Sequence, residues 1–382
     1  MTAGPARIVR ISALGALTAL ACSAGDARNL GSTKPSGAPG GPIAFEDGGA
    51  PGNAPGTVGA VGGVTAGSAC ATAAAGATRP PAHLVFMYDR SFSMGFTIGG
   101  AGGMSVWDAC KAGLTGFFAS SSSAGLRASL AFFGRDDTLD SVTTCSAGSY
   151  ATPDVAMTSL PNATAFSQAI NATKPFTGTP TLPALQGAIA HAKAIKAKVG
   201  ANERVSVVLV TDGAPTGCTD NTLDAVHDAA AAAAALGIAT YVVGIGTVQN
   251  MQTIASGGGT TAIQVSAASP SQVESDLEAA LGQIGASALG CEFALPPPPA
   301  GQALDVNAVN VNYTPSGGAA STLLYSGDCS DGKGWRYDSV TAPTKILFCP
   351  AMCKTLEADR GGKMDVIFGC TTELPAGGAP PK

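Results

Sequence analysis

The sequence predicts an α/β fold, a doubly wound and mostly parallel sheet with helices on both faces, followed by a small disulfide-braced β-rich domain. Three observations predict it. Short apolar runs such as 205–210 are continuous, as strands buried on both faces are. Stretches with apolar residues at helical spacing separate those runs. Beyond the four prolines 296–299 the helical period disappears, and alternating residues punctuated by cysteines replace it.

The N-terminal region has no part in this alternation. Arg7 and Arg10 precede an apolar run, 11–21, that ends at Cys22. The run is shorter than the ~20 residues a membrane-spanning helix needs and has the length of a signal-peptide core. Ala19-Leu20-Ala21-Cys22 looks like a lipoprotein processing site, with Ala19 where a larger aliphatic residue is usual. Residues 1–22 are therefore expected to be a signal peptide, with Cys22 as the lipidated residue. That implies export to the cell envelope, and Ser23 after the cysteine is compatible with outer-membrane sorting. Residues 23–67 are rich in Gly, Pro, Ala and Ser and poor in large apolar side chains. They cannot bury enough surface to offset ordering entropy, so a flexible tether is expected, with a reach of roughly 35–40 Å.

From Pro81 onward the elements follow in order. Residues 83–89 read as a short apolar strand. Val106, Cys110, Leu114, Phe117 and Phe118 recur at helical spacing. Leu126, Ala128, Leu130 and Phe132 alternate as a strand, and a weaker strand is expected at 141–144. Leu182, Leu185, Ile189, Ala192 and Ile195 mark a helix face before the buried run 205–210. The uncharged stretch 229–248 is long enough to consider as a membrane span. Gly237 interrupts it, and β-branched residues fill its second half, so an alanine-rich helix followed by a strand is the better reading. A short strand at 261–265 precedes a last helix signalled by Ser269, Pro270 and Gln272. The boundaries so read are 68–291 for the α/β domain, 292–372 for the Cys-rich β domain and 373–382 for a loose tail.

Only 12% of residues are charged, the net charge is −5 and there is no basic block. Nucleic acid is thereby excluded as a partner, and a membrane is expected to be met through the lipid anchor alone.

The residues that carry chemistry stand where strands end. Asp89-Arg90-Ser91-Phe92-Ser93 closes the first strand, Thr177-Gly178-Thr179-Pro180-Thr181 precedes the Leu182 helix, and Thr211-Asp212-Gly213 closes the 205–210 run. Asp and Ser are also ordinary turn residues. But open α/β sheets bind ligands along the carboxyl edge, where all three pieces fall. The order Asp-x-Ser-x-Ser, then Thr, then Thr-Asp-Gly resembles the von Willebrand factor A domain over about residues 81–290. The resemblance implies a metal-ion-dependent adhesion site made of Asp89, Ser91, Ser93, Thr179 and Asp212. It implies Mg²⁺ (or Mn²⁺ or Ca²⁺) as cofactor, and a protein or glycan partner whose acidic group completes the coordination. Hydroxyl ligands add no charge and leave such a cation electrophilic, and Mg²⁺ prefers octahedral oxygen at about 2.0–2.1 Å. Phe92 departs from the glycine that the family often places between the two serines.

The resemblance implies a binding module and no enzyme. A metal-independent structural subunit of an envelope complex is the alternative. A hydrolase would need a base near Ser91, and the sequence offers none. His83, His191 and His227 are read as surface or cap residues, and Gly244-Ile245-Gly246 as a strand end. Asp136, Asp137 and Asp140 are read as a solvated turn, and Trp335 with Tyr337 as packing in a small core.

Ten cysteines, less Cys22, leave an odd number. In an exported chain they are expected to form disulfides. Cys70 with Cys291 would clamp the ends of the α/β domain, and Cys145 with Cys218 would lie near the metal edge. Cys329, Cys349, Cys353 and Cys370 would form two bridges among themselves. Cys110 would then be a buried free thiol. A four-cysteine zinc site around Cys349 and Cys353 is the rival reading.

Overall fold

The structure is a computed structural model describing residues 70–381 except 78, 101–102, 136–140, 177 and 360. The leader with Cys22, the tether 23–67, Thr177 and the carboxylates Asp136, Asp137 and Asp140 lie outside the described residues.

Strand β1 (Ala73–Gly76) pairs with a strand of the C-terminal region. β2 (Ala82–Asp89) is the centre of the main sheet, and all eight of its residues are buried. A two-stranded hairpin, β3 (Thr97–Ile98) and β4 (Met104–Ser105), leads into helix α1 (Val106–Ala119). β5 (Leu126–Phe133) follows, then a one-turn helix α2 (Ser141–Thr144), β6 (Val155–Ser159), α3 (Ala163–Ala172) and α4 (Thr181–Lys196). β7 (Arg204–Thr211), α5 (Leu223–Ala234), β8 (Ile238–Ile245), α6 (Met251–Gly257), β9 (Ile263–Val265) and α7 (Pro270–Leu289) complete the alternation. The sheet order is β6-β5-β2-β7-β8-β9, parallel throughout except at the β6 edge. The doubly wound α/β class read from the sequence is the class observed.

Helices α1, α3 and α7 cover one face, where Phe86, Phe117, Phe118 and Leu277 are buried together. Helices α4, α5 and α6 cover the other, over Val85, Met87, Val207 and Leu209. Alternate residues of β2 and β7 therefore serve opposite faces, which is why these strands read as unbroken apolar runs. The stretch 229–248 divides into the end of α5 and β8. No helix among the described residues is long and apolar enough to cross a membrane.

At two places the structure departs from the sequence-based expectation. The segment 141–144 is a helical turn, and the strand beyond β5 is β6, paired antiparallel to it. Thr and Val at 141–144 suit a strand, but the chain there turns to let Tyr150 pack under α4; a Cβ on Gly187 would lie 2.5 Å from that of Tyr150. His83 is no surface residue: it is buried, with Nε2 2.6 Å from Glu203 Oε2.

The C-terminal region holds two small antiparallel sheets. One comprises β10 (Glu292–Ala294), β13 (Trp335–Tyr337) and β14 (Lys345–Phe348). The other comprises β11 (Val309–Thr314), β12 (Ser321–Leu323), β15 (Lys363–Phe368) and, on the far side of β15, the N-terminal β1. A helix that the sequence reading missed, α8 (Pro350–Ala358), starts at Pro350, and proline suits a first helical turn. Trp335 and Tyr337 are buried beside Tyr325, as core aromatics. Glu373 is not loose: its N–H donates to Asn310 Oδ1 (2.7 Å) and its carbonyl accepts from Tyr325 N (2.9 Å).

The disulfides are Cys70–Cys370, Cys145–Cys218, Cys291–Cys353 and Cys329–Cys349. The Cys145–Cys218 pairing is as expected, and Cys110 is free and buried. Cys70 does not pair with Cys291, and only one bridge lies wholly within the last four cysteines. The reason is strand β1: pairing with β15 carries Cys70 to Cys370, so the chain before the α/β domain is bonded to the C-terminal region. Cys291, just past α7, is likewise bonded there, to Cys353. With Cys349 and Cys353 both in disulfides, the zinc reading has no ligands.

Candidate metal centre

The site is assembled at the carboxyl edge of the sheet. β2 delivers Asp89, the turn after it delivers Ser91 and Ser93, β7 delivers Asp212, and the approach to α4 delivers Thr179. Asp89, Ser91 and Thr179 are buried. Ser93 Oγ donates to Asp212 Oδ1 (2.6 Å), and the Ser91 and Ser93 hydroxyls share a 3.0 Å hydrogen bond. Ser91 N–H donates to Asp89 Oδ1 (2.7 Å). Gly213 sits between the remaining pieces: a Cβ there would be 3.6 Å from Thr179 Oγ1 and 3.7 Å from Ser93 Oγ. The structure thus brings together all five residues singled out in the sequence.

Their electrostatics favour a cation. Burial, and then the neighbouring charge of Asp212, push Asp89 up to about 7, against the hydrogen bonds from Thr211 and Ser91. Burial also raises Asp212, against the bond from Ser93. Two carboxylates sharing a desolvated pocket disfavour each other's charge, and a bound cation reverses that effect. The donors are all oxygen, with two carboxylates and three hydroxyls. That set fits a hard divalent ion and not a soft one.

Phe92 lies in a 3₁₀ turn, Phe92–Gly95, and is not among the positive-φ residues, so its side chain costs no backbone strain. It is 68% exposed and packs edge-on against Phe96 (5.7 Å between centroids), which is 58% exposed. Met104 and Phe176 are exposed nearby; Phe176 N–H donates to Arg90 O (2.6 Å), which ties it to the same turn. Beside them runs a groove of about 440 Å³ lined by Phe92, Phe96, Trp107, Lys111, Lys174 and Pro175.

Three residues outside the predicted five support the site. Thr211 Oγ1 donates to Asp89 Oδ2 (2.5 Å). Thr216 Oγ1 accepts from Thr179 N (3.1 Å), and Asn221 Nδ2 donates to Thr179 O (2.8 Å). Thr211 stood beside Asp212 and was within reach of a sequence argument. Thr216 and Asn221 act through a folded loop and left no local signal. Cys110 takes no part in the centre; burial pushes its thiol up to about 12, so it stays protonated.

The sequence model of the von Willebrand factor type A domain matches residues 83–276. A comparison by sequence with curated proteins finds no match. Among solved structures the chain is similar to the conserved hypothetical protein BatB from Bacteroides thetaiotaomicron. That likeness has 16% identity and a TM-score of 0.35, over 53% of this chain and 98% of that one. Manganese-loaded TRAP protein from Plasmodium vivax matches at 15% identity and a TM-score of 0.36, over 55% and 75%. Proximal thread matrix protein 1 from the mussel byssus, with a zinc-occupied MIDAS motif, matches at 13% identity and a TM-score of 0.36, over 56% and 48%. The chain spans about half the length of the mussel protein.

Proposed function

Because the chain belongs to the von Willebrand factor type A domain family, we propose that it is an exported binding protein that engages a partner protein through a divalent metal. One observation carries this reading: oxygen donors of Asp89, Ser91, Ser93, Thr179 and Asp212 converge on one edge of the sheet. When bound, the metal supplies a Lewis-acidic position for a carboxylate of the partner. The chain's own residues do the rest. Asp89 is fixed by Ser91 N–H and Thr211, so its geometry is set before the ion arrives. Ser91, Ser93 and Thr179 contribute neutral oxygens, which leave the ion needing one more anionic ligand.

The exposed phenylalanines favour a protein over a glycan as partner. Exposed aromatic clusters beside a polar centre are characteristic of protein interfaces. In this reading the partner's acidic side chain meets the metal, and its apolar neighbours cover Phe92 and Phe96. Export rests on the N-terminal sequence and is supported by four disulfides, which persist in oxidising compartments. We further propose attachment through lipidated Cys22 to the cell envelope.

The test is thermal unfolding of chelator-stripped protein with added Mn²⁺. A site that binds only the folded state stabilises it by about 2.7 kcal/mol at a hundredfold excess over Kd. Wild type and Thr179→Ala should both melt higher with Mn²⁺, the variant needing more metal. Identical melting with Mn²⁺ and with EDTA would sink the proposal.

A further inference from the structure

We infer that the loop 213–221, locked by the Cys145–Cys218 disulfide, is a clamp that positions Thr179 for metal binding, with Thr216 and Asn221 as its positioning residues. The inference rests on the metal reading above.

Helix α4 begins at the metal edge without a capping side chain of its own; the cap position is Pro180, which makes no side-chain hydrogen bond. Unpaired N–H groups at a helix start need acceptors. Asn221, 39 residues away from Leu182, provides one: its Oδ1 accepts from Leu182 N (2.7 Å). Its Nδ2 donates to Thr179 O (2.8 Å) and to Thr216 O (2.8 Å). This buried amide has its oxygen on a donor and its nitrogen on two carbonyls, so a flipped orientation would lose all three bonds. Thr216 holds the same residue from a second side. Its N–H donates to Thr179 O (2.9 Å) and its Oγ1 accepts from Thr179 N (3.1 Å). Both backbone polar groups of Thr179 are therefore bonded to one surface loop.

That loop has no regular structure of its own, and Gly217 within it takes φ +88°. Its fixed point is Cys218, bonded to Cys145. Cys145 is itself anchored to α4. Thr144 O accepts from Tyr150 OH (2.8 Å), and Tyr150 packs against Gly187 in the middle of the helix. A closed ring results, running from α4 through Tyr150, the disulfide, Thr216 and Asn221 back to Thr179. Opening it at the disulfide releases the loop. Asp89 ends β2, Ser91 and Ser93 follow it in one turn, and Asp212 directly follows β7; the Thr179 hydroxyl alone of the five is not tied to a strand of the sheet, so it is the donor that moves.

The experiment uses the full chain and two readouts on Cys145→Ser/Cys218→Ser, on Asn221→Ala and on a control, Cys329→Ser/Cys349→Ser, which loses a disulfide in the C-terminal region. The first readout is hydrogen exchange of the metal-free protein in the peptide 178–186. The second is the Mn²⁺ dissociation constant by calorimetry. Both site variants should exchange faster at Thr179 and Leu182 and should bind Mn²⁺ about tenfold more weakly, the size typical when a ligand's supporting partner is lost. The control should change neither. Unchanged exchange in Cys145→Ser/Cys218→Ser overturns the clamp. So does faster exchange with an unchanged Mn²⁺ constant, since Thr179 would then be loosened without consequence. If wild type binds no Mn²⁺, the metal reading fails, and exchange alone decides whether the loop holds Thr179.

Discussion

Phe92 stands between two serines whose hydroxyls are 3.0 Å apart, yet its own ring is turned to solvent and to Phe96. An aromatic in that position could have blocked the site or extended it, and the exposed ring supports extension. Phe92→Ala is accordingly expected to leave Mn²⁺ affinity unchanged, because the side chain touches none of the donor oxygens through any bond. A tenfold loss in calorimetry would show instead that the ring orders the serine turn. Asp89 and Asp212 stood out in sequence because one ends a buried run and the other directly follows one, with Ser91 and Ser93 at alternate positions after Asp89. That these four and Thr179 form one site was legible only through the family pattern. Thr216 and Asn221 were not legible, since they reach Thr179 from 37 and 42 residues away, and nothing local marks a loop that folds back.

The helices and strands show the same division. Helix α7 announced itself through Ser269, whose Oγ accepts from Gln272 N (3.2 Å) ahead of Pro270. The edge strand β6 did not, since its partly exposed residues lack a strong period, and helix α3 escaped although Phe166 and Ile170 stand one turn apart on its buried face. The turn at 141–144 was misread because β-branched residues favour strands only when a neighbour is there to pair with them. Helix α4 provides a test at this scale. Alanine favours a helix over glycine by ~1 kcal/mol. At Gly187, however, a Cβ would meet Tyr150 Cβ at 2.5 Å and Ala147 O at 2.6 Å. Gly187→Ala should therefore destabilise the protein by about 1–3 kcal/mol through overpacking. A urea midpoint shifted upward would contradict the close packing of α4 on residues 147–150.

Across the whole chain, the boundary read at 291–292 is a covalent and ionic junction. Cys291 is bonded to Cys353, and the chain before the α/β domain is bonded through Cys70 to Cys370. Connectivity of this kind is invisible to spacing, because it depends on β1 pairing with β15 across the length of the chain. Glu292 joins the parts electrostatically, 2.8 Å from Arg204 at the start of β7 and 3.0 Å from Lys345 in β14. Burial alone would raise its pKa, but the Lys345 hydrogen bond and the Arg204 charge outweigh burial, so it lies below its ordinary value. A carboxylate with a lowered folded pKa stabilises the protein above its unfolded value of 4.5 and loses that stabilisation as pH falls through the folded value. Glu292→Gln should therefore cost about 1 kcal/mol at pH 7, both partners being partly exposed. The difference from wild type should shrink once the pH drops below the usual glutamate range. A gap that persists undiminished in acid urea melts would mean that Glu292 acts by packing and not by charge.

Five side chains on one sheet edge are placed to hold a divalent cation. Calorimetric titration of Mg²⁺ and Mn²⁺ into chelator-stripped wild type, Asp89→Ala and Asp212→Ala tests it most directly. Saturable single-site binding to wild type is expected, lost in both variants while they remain folded. Binding that survives in Asp89→Ala, or a folded wild type that takes up neither ion, would contradict it.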